Sequence, residues 1–237
     1  MKGFLFIILF AFLSLAYGQD LTVDEEILNE LETVVIETET DTITLRVAYP
    51  DQYNKNKEYS CLLGLSGGNQ TKKIVNYCYA AWFRSGYFND YMTILPVVER
   101  DTIQFADYPP ERIENMLSAI NEHFRLKEKW LIAGTSNGGD AAFQFVNVAP
   151  DRFEGIITAP GTITASVEPT SEWSHLKVVL CYGELDAKKW IQDVKLTHKT
   201  LKKIVSQIKL IKLEGQGHIL PVSFNADKMY DPYFLDW

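Results

Sequence analysis

Six short runs, residues 61–65, 92–98, 130–133, 155–159, 178–182 and 208–213, are apolar along most of their length and do not alternate with polar positions. A strand reads this way when both of its faces are buried, which is the situation of a parallel sheet covered by helices. Between these runs lie stretches of helical character near 72–85, 110–124, 138–148 and 188–206. Repeated strand–helix alternation predicts an α/β fold with a mostly parallel central sheet and helices on both faces. Upstream, residues 31–36 and the alternating segment 42–48, joined by the polar 37–41, predict antiparallel amino-terminal strands that are half exposed. No internal repeat or linker divides the pattern, so a single domain is expected.

The first residues have the form of a secretory signal. Lys2 supplies the charge, residues 4–15 the apolar core, and Ala16-Tyr17-Gly18 the small residues of a cleavage site. That core is shorter than the roughly 20 residues that cross a bilayer. The expected division is a signal peptide over 1–18 and a domain over 19–237 that begins at Gln19, in a secreted or periplasmic protein. With 31 acidic against 23 basic residues, a net charge of −8 and no basic cluster, nucleic acid is excluded as a partner. Cys61, Cys78 and Cys181 read as small core residues. No Cys/His spacing and no HExxH motif suggests a metal, and none of the sequence calls for a cofactor.

One junction carries chemistry. The run 130–133 feeds Gly134-Thr135-Ser136-Asn137-Gly138-Gly139 and then a helix. A Gly-x-Ser-x-Gly turn between strand and helix holds its serine at a sharp, strained bend, and the flanking glycines let the two elements approach. Ser136 is therefore the candidate nucleophile. Downstream, the strand 178–182 ends in Gly183-Glu184-Leu185-Asp186, and the strand 208–213 leads into Glu214-Gly215-Gln216-Gly217-His218. The order is Ser, Asp, His, with acid and base each just past the carboxyl end of a strand, where an open α/β sheet gathers its functional groups. Glu184 is the second candidate acid, read instead as a solvated turn residue.

These three motifs resemble the α/β-hydrolase superfamily, and within it the small secreted serine esterases with a minimal lid. Ala149-Pro150-Asp151-Arg152-Phe153, closing the helix after the elbow, also resembles the family. The resemblance implies a Ser136–His218–Asp186 triad and an oxyanion hole built from backbone N–H groups. One donor would be Asn137, directly after the nucleophile; the second would come from the loop after the first central strand, Gly68 foremost and Gly67 beside it. The family usually has His-Gly at that loop, where this chain has Ser66-Gly67-Gly68. The implied activity is cleavage of carboxylic esters through an acyl-enzyme, on a small-molecule or polymer-linked ester, with no cofactor or metal. A serine peptidase or acyltransferase on the same triad, or a secreted binding module that kept the fold without the chemistry, are the alternatives.

Some residues near the expected rim remain to be placed. Tyr108, Trp173 and Trp190 fall in or beside loops and are candidates for a substrate pocket, while Glu99-Arg100-Asp101 follows another strand's carboxyl end. His123, His175 and His198 read as surface histidines. The connection from Pro160 to His175, with Pro169 and Gly161 in it, is too short for a helical lid. The sequon Asn69-Gln70-Thr71 lies in the expected oxyanion loop, where a glycan would crowd the site, so a bacterial setting in which the sequon is silent is expected.

Overall fold

The computed structural model describes residues 21–98 and 103–235. The expected signal peptide over 1–18 and the Glu99-Arg100-Asp101 run lie outside the described residues. The strands are β1 (Leu31–Glu37), β2 (Thr42–Ala48), β3 (Ser60–Leu65), β4 (Tyr91–Val97), β5 (Trp130–Gly134), β6 (Phe153–Thr158), β7 (Lys177–Gly183) and β8 (Gln207–Leu213). The helices are α1 (Glu25–Leu28), α2 (Lys72–Cys78), α3 (Pro110–His123), α4 (Asn137–Val148), α5 (Lys188–Leu201) and α6 (Asp227–Phe234).

All eight strands form one sheet in the order β1-β2-β4-β3-β5-β6-β7-β8. β2 runs antiparallel to β1, as the hairpin pattern requires, and also to β4, and β3 to β8 are mutually parallel. From β3 the chain steps outward to β4, then returns to the other side of β3 with β5 and continues outward to β8. The strand order therefore reverses between β3 and β5. At such a reversal the loops leaving two adjacent strands turn to opposite faces and open a crevice at their carboxyl ends.

The absence of polar alternation in the central strands has a direct cause in packing. Leu63, Leu65, Ile132, Ile156, Val178 and Leu180 pack with Ile113 of α3, Phe145 of α4 and Val194 of α5 on one face. Their neighbours Leu62, Leu131, Ala133, Ile157, Val179 and Cys181 pack with Val75 of α2 and Tyr230 of α6 on the other. Successive side chains of a strand point to opposite faces, so every position along these strands meets a core.

Two elements depart from expectation. The helix expected over 72–85 is α-helical only to Cys78 and continues as a π-helical turn over Tyr79–Phe83, all five residues of which are buried. The Trp82 carbonyl at its end accepts a hydrogen bond of 2.6 Å from Tyr230 Oη. The unexpected α6 contains Pro232, a residue that argues against a helix in sequence. Burial of Met229, Tyr230 and Tyr233 against the sheet outweighs that local preference. Between β6 and β7 the described residues hold only the short 3-10 helix Ser171–His175.

Candidate functional site

The chain passes from β5 to α4 across Thr135 and Ser136, and Ser136 takes φ 53°, ψ −123°. A non-glycine residue in such a conformation costs about 1–3 kcal/mol unless its surroundings hold it. Here its N–H donates to the Pro160 carbonyl at 2.8 Å and its own carbonyl accepts from Asp140 N–H at 3.0 Å. The flanking glycines are required by contact: a Cβ on Gly134 would overlap the Gly138 carbonyl, and one on Gly138 would overlap the Leu65 carbonyl of β3. The serine thus stands at the crevice between β3 and β5.

The structure brings Ser136, His218 and Asp186 together in one chain of hydrogen bonds. Ser136 Oγ lies 2.9 Å from His218 Nε2, and His218 Nδ1 lies 3.1 and 3.2 Å from the two carboxylate oxygens of Asp186. A carboxylate facing Nδ1 selects the tautomer with its proton there, which leaves Nε2 as acceptor for the serine hydroxyl. The Asp186 side chain is 1% exposed and also accepts the Ala187 N–H at 2.7 Å, so it has a single orientation. The loops after β7 and β8 are pressed together to make this pair. Leu185 N–H donates to the Gln216 carbonyl at 2.8 Å, and a Cβ on Gly183 would overlap the Gly217 carbonyl.

Glu184 takes no part. Its carboxylate accepts from Gly215 N–H at 3.0 Å and from Lys212 Nζ at 2.9 Å, and these two contacts hold its pKa below the usual carboxylate value. Among the described residues none of His123, His175 and His198 is bonded to Ser136, His218 or Asp186. Trp190, in the first turn of α5, sets its ring 5.0 Å from that of His218. The other two aromatic candidates are corrected. Trp173 is 1% exposed and stacks parallel to Phe143 of α4, and Tyr108 is 4% exposed, edge-on to Phe105 with Arg112 over its ring. Both are apolar cover for the core, because a loop that crosses a helix face must bury something there.

The residues expected to bind an oxyanion sit beside the serine. A Cβ on Gly67 would stand 3.1 Å from Ser136 Cβ, so the loop after β3 abuts the nucleophile candidate. Gly68 has φ +59° and occupies a tight turn closed by Gln70 N–H to the Gly67 carbonyl at 3.3 Å. Asn137 is the first residue of α4, where a backbone N–H has no intrahelical acceptor. The buried Cys78 thiol lies against the Gly67 N–H.

Sequence reasoning missed three polar residues around this site. Asp140 of α4 accepts from both Thr162 N–H (2.7 Å) and Thr162 Oγ1 (2.8 Å), fixing the loop whose Pro160 carbonyl holds Ser136; burial pushes its carboxyl up, opposed by those bonds. Gln70 and Gln104 bridge the loops around Ser136. Only Asp140 had a signal available, its place one helical turn after the serine. Among the described residues no cluster of side chains suits a metal ion. A cleft of about 360 Å³ between residues 162–164 and α5 has polar walls, including Thr162, Thr164, Lys189 and Asp193.

No family model and no curated protein sequence matches the chain. Solved structures do. A thermostable esterase superposes with a TM-score of 0.66 at 15% identity over 88% of this chain, which spans 60% of that protein's length. A CE1 ferulic acid esterase from the anaerobic fungus Anaeromyces mucronatus gives 0.59 at 16% identity, covering 86% of this chain and 88% of its own. S-formylglutathione hydrolase from Staphylococcus aureus gives 0.60 at 17%, covering 80% and 92%. With its reversed strand order, its parallel sheet between two helical layers and these structural relatives, the chain has the α/β-hydrolase fold.

Proposed function

We propose that the protein is an exported serine hydrolase that cleaves carboxylic esters through an acyl-enzyme, with Ser136, His218 and Asp186 as its triad. The observation that carries the reading is the unbroken contact from Asp186 through His218 to Ser136. In this reading His218 Nε2 takes the hydroxyl proton as Ser136 Oγ attacks the ester carbonyl, and returns it to the departing alcohol. Asp186 keeps the imidazole oriented and offsets its transient charge. The Asn137 and Gly68 N–H groups bind the oxyanion, and water then releases the acid by the same steps in reverse. The names of the similar structures, esterases and hydrolases, agree with ester cleavage. A non-catalytic module would have no need to keep a strained serine in line with an acid–base pair.

Substrate preference follows from shape. The short connection after β6 carries no covering helix among the described residues. A long acyl chain would leave much of its surface in water and recover little of the roughly 0.8 kcal/mol available per buried methylene. Short acyl groups, or esters whose bulk lies outside the site, are the expected substrates. A fluorophosphonate should label Ser136, and kcat/KM over acetyl to palmitoyl p-nitrophenyl esters should fall with chain length with no jump at the micelle threshold. A maximum at twelve or more carbons contradicts the open site. Absence of both labelling and turnover contradicts the hydrolase. Export is tested by amino-terminal sequencing of the native protein, which should begin at Gln19.

A further inference from the structure

Gln70 is a fully buried polar side chain, 0% exposed, with a left-handed backbone at φ 57° that is uncommon for a residue with a Cβ. Such a residue is kept in place by many bonds or not at all. Both ends of its amide and both of its backbone groups are engaged. Nε2 donates to the Ser66 carbonyl (3.1 Å), and Oε1 accepts from Phe105 N–H (3.0 Å). Its N–H donates to the Gly67 carbonyl (3.3 Å), and its carbonyl accepts from Val98 N–H (2.9 Å).

The consequence lies in the two peptide groups it holds. A trans peptide is planar, with N–H and C=O antiparallel. Fixing the Ser66 carbonyl therefore fixes the Gly67 N–H, and fixing the Gly67 carbonyl fixes the Gly68 N–H. One side chain and its own N–H thus set both peptide planes of the loop that abuts Ser136.

The brace closes on itself around the site. Phe105, held by Gln70, packs edge-on to Phe145 of α4, and the adjacent Gln104 accepts through Oε1 from Asn137 Nδ2 at 2.6 Å. The same Asn137 Nδ2 reaches the Gly68 carbonyl at 3.2 Å. The circuit runs from the loop after β3, through Gln70, to 104–105, to Asn137 and back to Gly68. It ties together the two residues whose N–H groups the proposed reaction uses.

We infer that Gln70, Gln104 and the Asn137 side chain are positioning residues that hold the Gly68 and Asn137 N–H groups aimed at the oxyanion, in place of whatever the loop's usual histidine supplies in other members of the fold. This rests on the ester-hydrolase reading. None of the three side chains forms or breaks a bond. Their loss should weaken binding of the tetrahedral state while leaving ground-state binding nearly as it was.

The test compares Asn137→Ala and Gln104→Ala, both on the rim, with Gln70→Met, whose buried partners would be left unpaired. Asn137→Ala retains the backbone N–H and removes only the clamp. It should lower kcat on p-nitrophenyl acetate by about 10-fold, less than the roughly 10²–10³-fold that follows loss of a whole donor. KM should change less than about twofold, and affinity for an aryl boronic acid should fall in parallel with kcat. Gln104→Ala should do the same to a smaller degree, and the double variant should be no worse than Asn137→Ala, since the two act through one contact. Gln70→Met, if it folds, should show the largest loss of kcat. Rim variants that fold and keep native kcat and boronate affinity overturn the brace and leave the hydrolase standing. A rise in KM with unchanged kcat also overturns it, because that is the mark of a substrate contact. A native protein that no fluorophosphonate labels overturns both.

Discussion

Ser136→Ala is expected to reduce ester turnover by about 10⁴-fold or more and to abolish fluorophosphonate labelling, and His218→Ala should reduce turnover by a similar factor, because nucleophile and base act as one unit. Asp186→Asn should cost as much or somewhat less. The carboxamide can still hold the ring, but it presents an N–H as readily as an oxygen to Nδ1 and so favours the wrong tautomer. All three variants should unfold near the native temperature, since Ser136 and His218 sit above the sheet rather than in its core and Asn fills the buried Asp186 position with an oxygen still able to accept the Ala187 N–H. Turnover and circular dichroism of the purified variants decide the matter. Residual esterase activity in Ser136→Ala at the native level would remove the triad from the account.

The second large effect is expected from one added methyl group. Gly138→Ala would push a Cβ into the Leu65 carbonyl, with the Ser66 carbonyl also within overlap, and neither is a flexible side-chain end that can move aside. Overpacking costs about 1–3 kcal/mol, and more where the obstacle is backbone that cannot turn aside; here the strain falls on the contact between β3 and α4. The variant should melt well below the native protein and lose kcat even where it remains folded, because relief of the overlap requires the serine and the Ser66–Asn69 loop to separate. Gly86→Ala is the control. A Cβ there meets nothing within 4 Å, so its melting temperature should be nearly native.

The three side chains that meet in one hydrogen-bonded line are legible in the sequence because each announces itself locally: glycines around Ser136, a strand end before Asp186, Gly-x-Gly before His218. The strands were equally plain, since burial on both faces writes itself into every position of 61–65 or 178–182. What the sequence did not disclose are the contacts that join distant segments. Gln70 and Phe105 are neighbours only because β3 and β4 lie side by side, and Gln104 meets Asn137 only because β5 returns to the other flank of β3. Trp173 and Tyr108 were misplaced for the same reason: an aromatic residue in a loop looks exposed until the helix beneath it is known. α6 was hidden by Pro232, whose local cost says nothing about the tyrosines that flank it.

The three cysteines described within the core have a consequence for handling the protein. Cys61 on β3, Cys78 at the end of α2 and Cys181 on β7 are buried and unbridged. Burial pushes all three thiols up, Cys78 to about 11 and Cys181 to about 12, so the reactive thiolate is scarce in the native state at neutral pH. Alkylation must wait for the core to open, which turns these three side chains into internal clocks of opening. No two of them are joined, so a reductant finds no disulfide of the described fold to break.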